Sequence, residues 1–466
     1  MFMTRIVIVF PHVGYCTGWR PHLATEVKNG STYHIAQALT YLYTTARLYS
    51  SDVRVVDFNF GSFQQKLQDV LSFSPDKVLI SSTVNSLDST KQIAAAVHEA
   101  APEADIHLGG PAVSSNLFLR PRLVQLSVPC QYHVTNRDIF DWVNPILGID
   151  EKLRFRDVQP DNSWISETYT PAERQNIRFT IVSSIGCTFK CSFCLNPKVY
   201  DINYKSREVA QAEIQYLKHE LGADAISFAD PFFFMRERHA QAMMEVVVEE
   251  DIPWSQQTTL STLTPEHLEQ MAATGCTSVL TGIENFATGE IDKPVSPEIF
   301  EDRLTIAKSL GIKIKPSFIA GLLDMSFDVD VEQILYVERL IERGLVENHN
   351  IQSNIYTPYI PDVRDRLLDV PFRFWGVMPV TADDEEDWDR QLKLCDLVYE
   401  RIFPETQDRY LEVRAEYLDL LASRPSIWMN HEPVPEVSQK AMVRGLTSGK
   451  IRVELMTSPA TRGAAE

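Results

Sequence analysis

The chain has 466 residues, 44% of them hydrophobic and 23% charged, and a net charge of −19. The excess of 63 acidic over 44 basic residues argues against a nucleic-acid binder, which needs clustered Lys and Arg, and chiefly describes a solvated acidic surface. No apolar run approaches the roughly 20 residues that span a bilayer, and seven cysteines in so long a chain do not make a secreted disulfide framework.

The start, MFMTRIVIVFPHVG, reads as a first β-strand rather than a signal peptide, so a cytoplasmic protein of two or three domains is expected. RIVIVF at residues 5–10 is an apolar run of strand length. A long polar loop follows, then a helical pattern over about residues 31–49 and a strand VRVVDF at 53–58. A helix near 63–71 leads to a strand KVLISS at 77–82. LDSTKQIAAAVHEAA reads as an amphipathic helix with Asp88 as its N-cap, and ADIHLGGP as a strand ending in Gly109, Gly110 and Pro111. This alternation predicts a doubly wound, Rossmann-like α/β domain over residues 1–150. Its ligands would bind beyond the carboxyl ends of the strands, at residues 11–14, 81–85 and 109–115.

Residues 151–175, charged and containing Pro and Asp, read as a linker. The alternation restarts with the strand IRFTIVSS, the helix SREVAQAEIQYLKHELG and the strand ADAISFAD. A helix at 237–249, the strand WSQQTTLS and the helix TPEHLEQMAATG follow. Thr264 and Pro265 open that helix and Gly275 closes it. TSVLTGIEN, IKIKPSFIAGL and NIQSNIYTPY complete the strands, with SPEIFEDRLTIAKSLG and DVEQILYVERLIERG as the helices between them. Six β/α units over 176–362 predict a partial (β/α)6 barrel with its chemistry at the strand C-termini. Residues 363–466 read as a mainly helical C-terminal region, helical at 383–403 and 406–421, with a disordered tail TSPATRGAAE.

Cys187, Cys191 and Cys194 cluster in SSIGCTFKCSFCLN, where the first barrel strand ends; the other four cysteines are scattered. Structural zinc takes four ligands, as does a ferredoxin-type run, and no histidine lies close by. Three thiolates suit a 4Fe-4S cluster with one iron free to chelate a small molecule.

The C-x3-C-x2-C spacing in this place resembles the radical S-adenosylmethionine (SAM) superfamily, over about residues 176–361. The resemblance implies that Phe193 packs near the adenine, that Asp230 in ISFADPFFF contacts the methionine amine, and that Glu284 in TSVLTGIEN holds the ribose hydroxyls. It also implies that Gly321 in FIAGL allows close backbone approach. One electron from the reduced cluster would cleave SAM to methionine and a 5′-deoxyadenosyl radical that abstracts a substrate hydrogen. The protein orients the reactants and excludes water. A flavodoxin- or ferredoxin-type electron donor is implied.

The N-terminal domain, with HLGGPAVSS placed before such a barrel, resembles the cobalamin-binding domain of B12-type radical SAM proteins. Gly109 and Gly110 would let a nucleotide loop lie close to the backbone. Against this, ALTYLYTTARL carries Tyr43 and threonines where that family has small residues. The loop with Trp19, Arg20 and His22 could line the groove or fill it in place of the corrin, so cobalamin is left open.

Three activities remain. They are a cobalamin-dependent radical SAM methyltransferase, a radical SAM diol dehydratase similar to those of aminoglycoside (apramycin-type) antibiotic biosynthesis, and a non-catalytic Fe–S or corrin-binding protein. The obstructed helix, the short C-terminal region and an acidic chain suited to a cationic aminosugar favour dehydration without cobalamin, completed by an NADPH-dependent partner reductase. An elimination needs an acid beside the leaving hydroxyl. Lys205, Lys315 and Tyr356 near predicted strand ends are its candidates, with Arg20 and His22 as further substrate contacts. YTPYIPDVRDR lacks the Pro-Gly-Thr common after the sixth strand of the family.

Overall fold

A computed structural model describes residues 4–11, 33–34, 37–83, 86–110, 113, 126, 128–133, 140, 143–147, 153–175, 177–191, 194, 196–286, 295–322, 325–355, 385–408 and 410–411. The loop with Trp19, Arg20 and His22, and also Phe193, Tyr356 and the tail, lie outside them.

The N-terminal strands are β1 (Ile6–Phe10), β2 (Tyr33–His34), β3 (Val53–Asp57), β4 (Lys77–Ser81), β5 (Asp105–Gly109) and β6 (Gln131–Tyr132). Helices α1 (Gln37–Tyr49), α2 (Phe63–Ser72), α3 (Leu87–Ala100) and α4 (Val143–Leu147) accompany them. β1 is buried at every position, as expected of a strand covered on both faces. The all-parallel sheet runs β3-β1-β4-β5-β6. That is the flavodoxin-like order, whose ligand crevice lies where the order reverses, between β1 and β4.

Two local expectations fail. The segment expected to open a helix at residue 31 contains β2, which pairs with a barrel-side strand, and α1 starts at Gln37. Asp88 lies inside α3, whose N-cap position is Ser86; the Ser86 hydroxyl instead closes the preceding turn by accepting from Thr83 N at 2.9 Å.

The stretch expected as a linker is folded. α5 (Ser163–Thr168) and α6 (Pro171–Arg174) lie within it, and Phe155, Trp164 and Tyr169 are at most 2% exposed. Tyr169 donates to Asp57 at 2.6 Å, and Trp164 Nε1 to Thr40 at 3.2 Å. Gln37 donates to Thr180 Oγ1 at 2.8 Å. One apolar core therefore runs from α1 through this stretch into the second sheet.

The second half holds β7 (Ile177–Arg178), β8 (Thr180–Ile181), β9 (Ser184–Ile185), β10 (Asn203–Tyr204), β11 (Ile226–Phe228), β12 (Trp254–Thr258), β13 (Cys276–Glu284), β14 (Lys313–Ala320) and β15 (Gln352–Ile355). Its helices are α7 (Asn196–Val199), α8 (Arg207–His219), α9 (Glu237–Glu249), α10 (Pro265–Ala273), α11 (Pro297–Ser309), α12 (Phe327–Glu342) and α13 (Glu385–Arg401). Ser206, Thr264, Ser296 and Ser326 cap α8, α10, α11 and α12 with their hydroxyls, the side-chain acceptors that a helix start requires.

The six-stranded parallel sheet runs β15-β14-β13-β12-β11-β8, in strict chain order. Right-handed crossovers to the next neighbour put the connecting helices on one side, so the sheet curls barrel-fashion with its other face turned inward. β14 makes the two faces legible. Ile314, Pro316, Phe318 and Ala320 are buried toward the helices, while Lys315, Ser317 and Ile319 between them are half-buried on the inner face. Among the described residues no helix is long and apolar enough to cross a membrane.

Candidate functional site

The carboxyl ends of the barrel strands gather the unusual geometry. β8 runs through Ser183 and the short β9 into the cysteine loop, and Gly186 makes the bend at φ +79°. A Cβ there would stand 2.7 Å from Asp201 O and 2.9 Å from Ile202 Cα, so only glycine lets the loop leave the strand this close to the returning chain. Cys187, Cys191 and Cys194 form no disulfide. Cys194 N donates to Cys191 O at 3.1 Å. Cys191 is 3% exposed and packs with Leu322 beneath Phe189, Ile319 and Met325.

Three thiols in a turn sheltered by apolar side chains fit a 4Fe-4S cluster by the chemistry of the donor set. Among the described residues no three His, Cys, Asp or Glu side chains converge as a single metal ion would require. A cluster instead takes each thiolate on a different iron.

Asp230, just beyond β11, is fully buried. It accepts from Ser183 N at 2.6 Å, Ser183 Oγ at 2.5 Å and Ser184 Oγ at 2.8 Å. Burial pushes its carboxyl pKa up, against those hydrogen bonds. His239 Nε2 lies 3.0 Å from Ser183 Oγ, and burial lowers the His239 pKa to about 4. The carboxylate expected at the methionine amine is thus committed to the backbone and hydroxyls that lead into the cysteine loop.

Glu284 ends β13 at φ +60°, a conformation that a non-glycine residue holds only when its surroundings enforce it. The β13–β14 register slips between Gly282 and Glu284, and such bulges re-aim side chains near sites. Gln333 on α12 donates to Glu284 O at 3.2 Å and accepts from Phe286 N at 3.2 Å. Gly321, at φ +80°, donates to Asp330 Oδ2 at 3.1 Å, and Asn285 Nδ2 donates to Asp330 Oδ1 at 3.3 Å. Arg390 on α13 pairs with the fully buried Asp330 carboxylate. Two neighbouring strand ends, carrying Glu284 and Gly321, are therefore fixed by one helix and locked by the C-terminal region.

Sequence reasoning missed Ser183, Ser184, Gly186, His239, Asp330, Gln333 and Arg390. Asp330 sits in the first turn of α12, where an acid ordinarily complements the helix dipole. Nothing in the sequence marks it as a strap.

Of the three acid candidates, Tyr356 lies outside the described residues, and Lys205 and Lys315 do not come together. Lys205 is 2% exposed, ion-paired with Glu213 and close to the Tyr41 and Phe155 rings at 5.6 and 5.7 Å. Burial alone would lower the Lys205 pKa, but Glu213 and Tyr41 outweigh it and hold it up. It is a cation of the inter-sheet core rather than of the strand ends. Lys315 lies on the inner face of β14, toward its N-terminal half.

At the carboxyl edge of the first sheet, Gly110 has φ +93°, and a Cβ would meet Ser82 O at 2.7 Å and Ser82 N at 2.8 Å. The close approach that the Gly-Gly turn was expected to offer a nucleotide is made by the neighbouring strand. The Ser82 hydroxyl bonds Thr90 Oγ1 at 2.8 Å. Tyr43 does not face this edge: its hydroxyl lies 3.4 Å from Glu167 and 3.5 Å from Ser163 on α5. Ser81, Ser82, Gly109 and Gly110 form a small-residue edge at the carboxyl ends of β4 and β5, beside the crevice.

Residues 181–335 match the family described as the radical SAM superfamily. The fold is similar to that of the radical SAM methyltransferase TsrM from Kitasatospora setae, solved with cobalamin and a 4Fe-4S cluster bound. The identity is 14%, the TM-score is 0.54, and 78% of each chain is covered. The same enzyme with tryptophan and a SAM analogue matches at 14% identity and a TM-score of 0.53, over 77% of this chain and 75% of that one. No curated protein sequence matches the chain.

Proposed function

We propose that the chain, whose residues 181–335 match the radical SAM superfamily, is a cobalamin-dependent radical SAM methyltransferase acting on a small polar metabolite. The carrying observation is the whole architecture. A flavodoxin-order sheet joined through one core to a barrel-type sheet shares its fold, over 78% of each chain, with a cobalamin-bound methyltransferase.

A bound 4Fe-4S cluster supplies the electron that cleaves SAM, and a bound cobalamin carries the methyl group. The protein's own residues do the positioning. Cys187, Cys191 and Cys194 supply three thiolates and leave one iron for SAM. Asp230, through Ser183 and Ser184, fixes the strand from which the loop departs. Glu284 offers a carboxylate to the ribose hydroxyls from its enforced backbone. Gly321 lets SAM approach the backbone, with its amide held by Asp330. Phe189 and Phe232, with ring centroids 5.3 Å apart, keep water from the loop. Gly109, Gly110 and Ser82 border the corrin crevice.

The expectation of corrin-free dehydration of an aminosugar drew on an obstructed helix, a short C-terminal region and an acidic chain. Tyr43 turns to Glu167, which weakens the first of these three.

Anaerobic reconstitution with iron, sulfide and hydroxocobalamin, followed by assay with SAM and reductant, tests the proposal. Stoichiometric corrin retention and S-adenosylhomocysteine formation are expected. Absence of corrin, with 5′-deoxyadenosine and a dehydrated product, would overturn methyl transfer in favour of dehydration.

A further inference from the structure

The inner face of the barrel sheet is electrically lopsided. The sequences of β8, β11, β12, β13, β14 and β15 contain one acid, Glu284, at the far carboxyl end of β13. At the opposite end stand three cations, of which Lys313, at the start of β14, is exposed and Arg178 and Lys315 are half-buried. Arg178, which ends β7 just before β8, reaches across β11 and donates to Ser255 Oγ on β12 at 2.6 Å. Ser255 Oγ in turn donates to Ser227 Oγ at 3.0 Å.

Lys315 is on the same face. It stands opposite Leu280 on β13, which stands opposite Gln257 on β12, one inward step above Ser255. Among the described residues Lys315 has no hydrogen-bond or ion-pair partner, and Arg178 has only the Ser255 hydroxyl. Burial disfavours the Lys315 ammonium, and Arg178 and then Lys313 are close enough to oppose it as well. Like charges at partly desolvated positions repel more strongly than in water, and burying a cation without a counter-charge is costly. Ser255 and Ser227 form a hydroxyl relay next to Arg178, and Ser317 stands one inward step beyond Lys315 on β14.

We propose that Arg178 and Lys315 form an anion-binding position on the inner face of the barrel, which receives a carboxylate or phosphate of the substrate. The assignment to substrate rests on the methyltransferase reading above, because it takes the strand ends as the reaction centre. Ala320, at the carboxyl end of β14, is five residues beyond Lys315, about 16 Å along a strand at ~3.3 Å per residue. The position is therefore well below the strand ends where SAM would sit. An elongated substrate anchored there by its anion would present its other end to the reaction. The sign is opposite to the cationic aminosugar suggested by net charge: the surface is acidic, but the inner face is basic.

Inorganic phosphate is the probe, titrated into the full-length protein by calorimetry and followed by 31P line broadening. Phosphate is expected to bind, more weakly as sodium chloride rises. Arg178→Gln and Lys315→Gln should each weaken it at least about tenfold, the order expected for a charge-assisted hydrogen bond, and the double variant should abolish it. Lys315→Arg should retain binding, and circular dichroism checks that each variant is folded. Absence of binding to the wild type, or equal binding to Lys315→Gln, overturns the proposal. Displacement of phosphate by SAM would also overturn it, because the position would then belong to the SAM carboxylate. Phosphate binding that vanishes only in variants that have lost their fold, with Lys315→Arg failing as well, points to a structural cation pair and rejects it. The methyltransferase reading is judged on corrin retention and S-adenosylhomocysteine in the wild type, so either can fail alone.

Discussion

The carboxyl edges of the two sheets solve the same geometric problem with different chemistry. In the first sheet, β4 and β5 end in Ser81, Ser82, Gly109 and Gly110, and the polar atoms satisfy one another through neutral groups such as the Ser82–Thr90 hydroxyl pair. In the second, the strands end in Asp230, Glu284 and Gly321, each tied by a second tier of residues: Ser183 and Ser184, Gln333, and Asp330 with Arg390. The first edge supplies shape to whatever lies on it. The second supplies charge and strain at three strand ends, each held by residues from another element, whereas in the first sheet such long-range support falls at β3, where Tyr169 holds Asp57. Preorganised chemistry requires such support, because first-tier groups drift when the residues behind them are loose.

The largest expected effect separates the edges outright. Cys191→Ala should remove the cluster and all SAM cleavage, read as iron per chain and 5′-deoxyadenosine plus S-adenosylhomocysteine, with corrin retention by the first sheet persisting. If Cys191→Ala kept full SAM cleavage, the radical SAM reading itself would fail.

A matched pair of glycines sharpens the contrast. Gly110 and Gly186 have φ of +93° and +79°, and an added Cβ would meet backbone at 2.7 Å in both. Alanine at either should cost about 2–4 kcal/mol from strain and overlap, read as a lowered urea midpoint. Gly186→Ala alone should also displace Cys187 and weaken iron retention about tenfold, the scale of support residues around metals. Equal iron loss in both variants would mean that the two edges are not independent.

The strap at the second edge comes next. Arg390→Met leaves the buried Asp330 carboxylate without its ion pair and should cost about 3 kcal/mol. Hydrogen exchange at the Gly321 amide should rise with it. Ser82→Ala at the first edge removes only neutral hydrogen bonds, to Thr83, Ser86 and Thr90, the shortest of them worth about 1 kcal/mol. If the Arg390 variant changed stability no more than Ser82→Ala, α13 would not lock the strand ends.

Much of the fold could be read from local pattern. Apolar runs bounded by Gly and by Ser-Pro or Thr-Pro caps give the strands and helices of the second half nearly in place, because those signals act within a few residues. The cysteine loop was legible because its spacing is a local code. What was not legible depends on distant pairing. Asp330 looks like an ordinary first-turn acid until Arg390 and the Gly321 amide meet it. Lys205 looks like a candidate acid near a strand end until Glu213 and Tyr41 enclose it. Tyr43 looks obstructive because its neighbours in sequence do not reveal that Glu167 lies across from it. The stretch at 151–175 reads as a linker by composition, yet Trp164 and Tyr169 bury themselves against α1 and Asp57.

The smallest effect compares the two halves through one histidine each. His107 on β5 lies 3.0 Å from His133, and His239 on α9 lies 3.0 Å from Ser183 Oγ. Burial lowers both pKa values to about 4, with Lys77 and His133 adding to the effect at His107 and Arg236 at His239. Both imidazoles are favoured neutral in the folded state, whereas an unfolded histidine titrates near 6.5. Their stabilisation is therefore fully present above about pH 6.5, declines as the pH falls, and is gone once the pH passes below about 4. By pH 5.5 each should have lost about 1 kcal/mol, read as urea midpoints between pH 7 and 4. His107→Gln and His239→Gln should each flatten about half of that slope. The His239 variant alone should also alter iron retention, because its ring touches the hydroxyl that leads into the cysteine loop. A slope unchanged in both variants would show that these buried rings do not carry the acid sensitivity of either half.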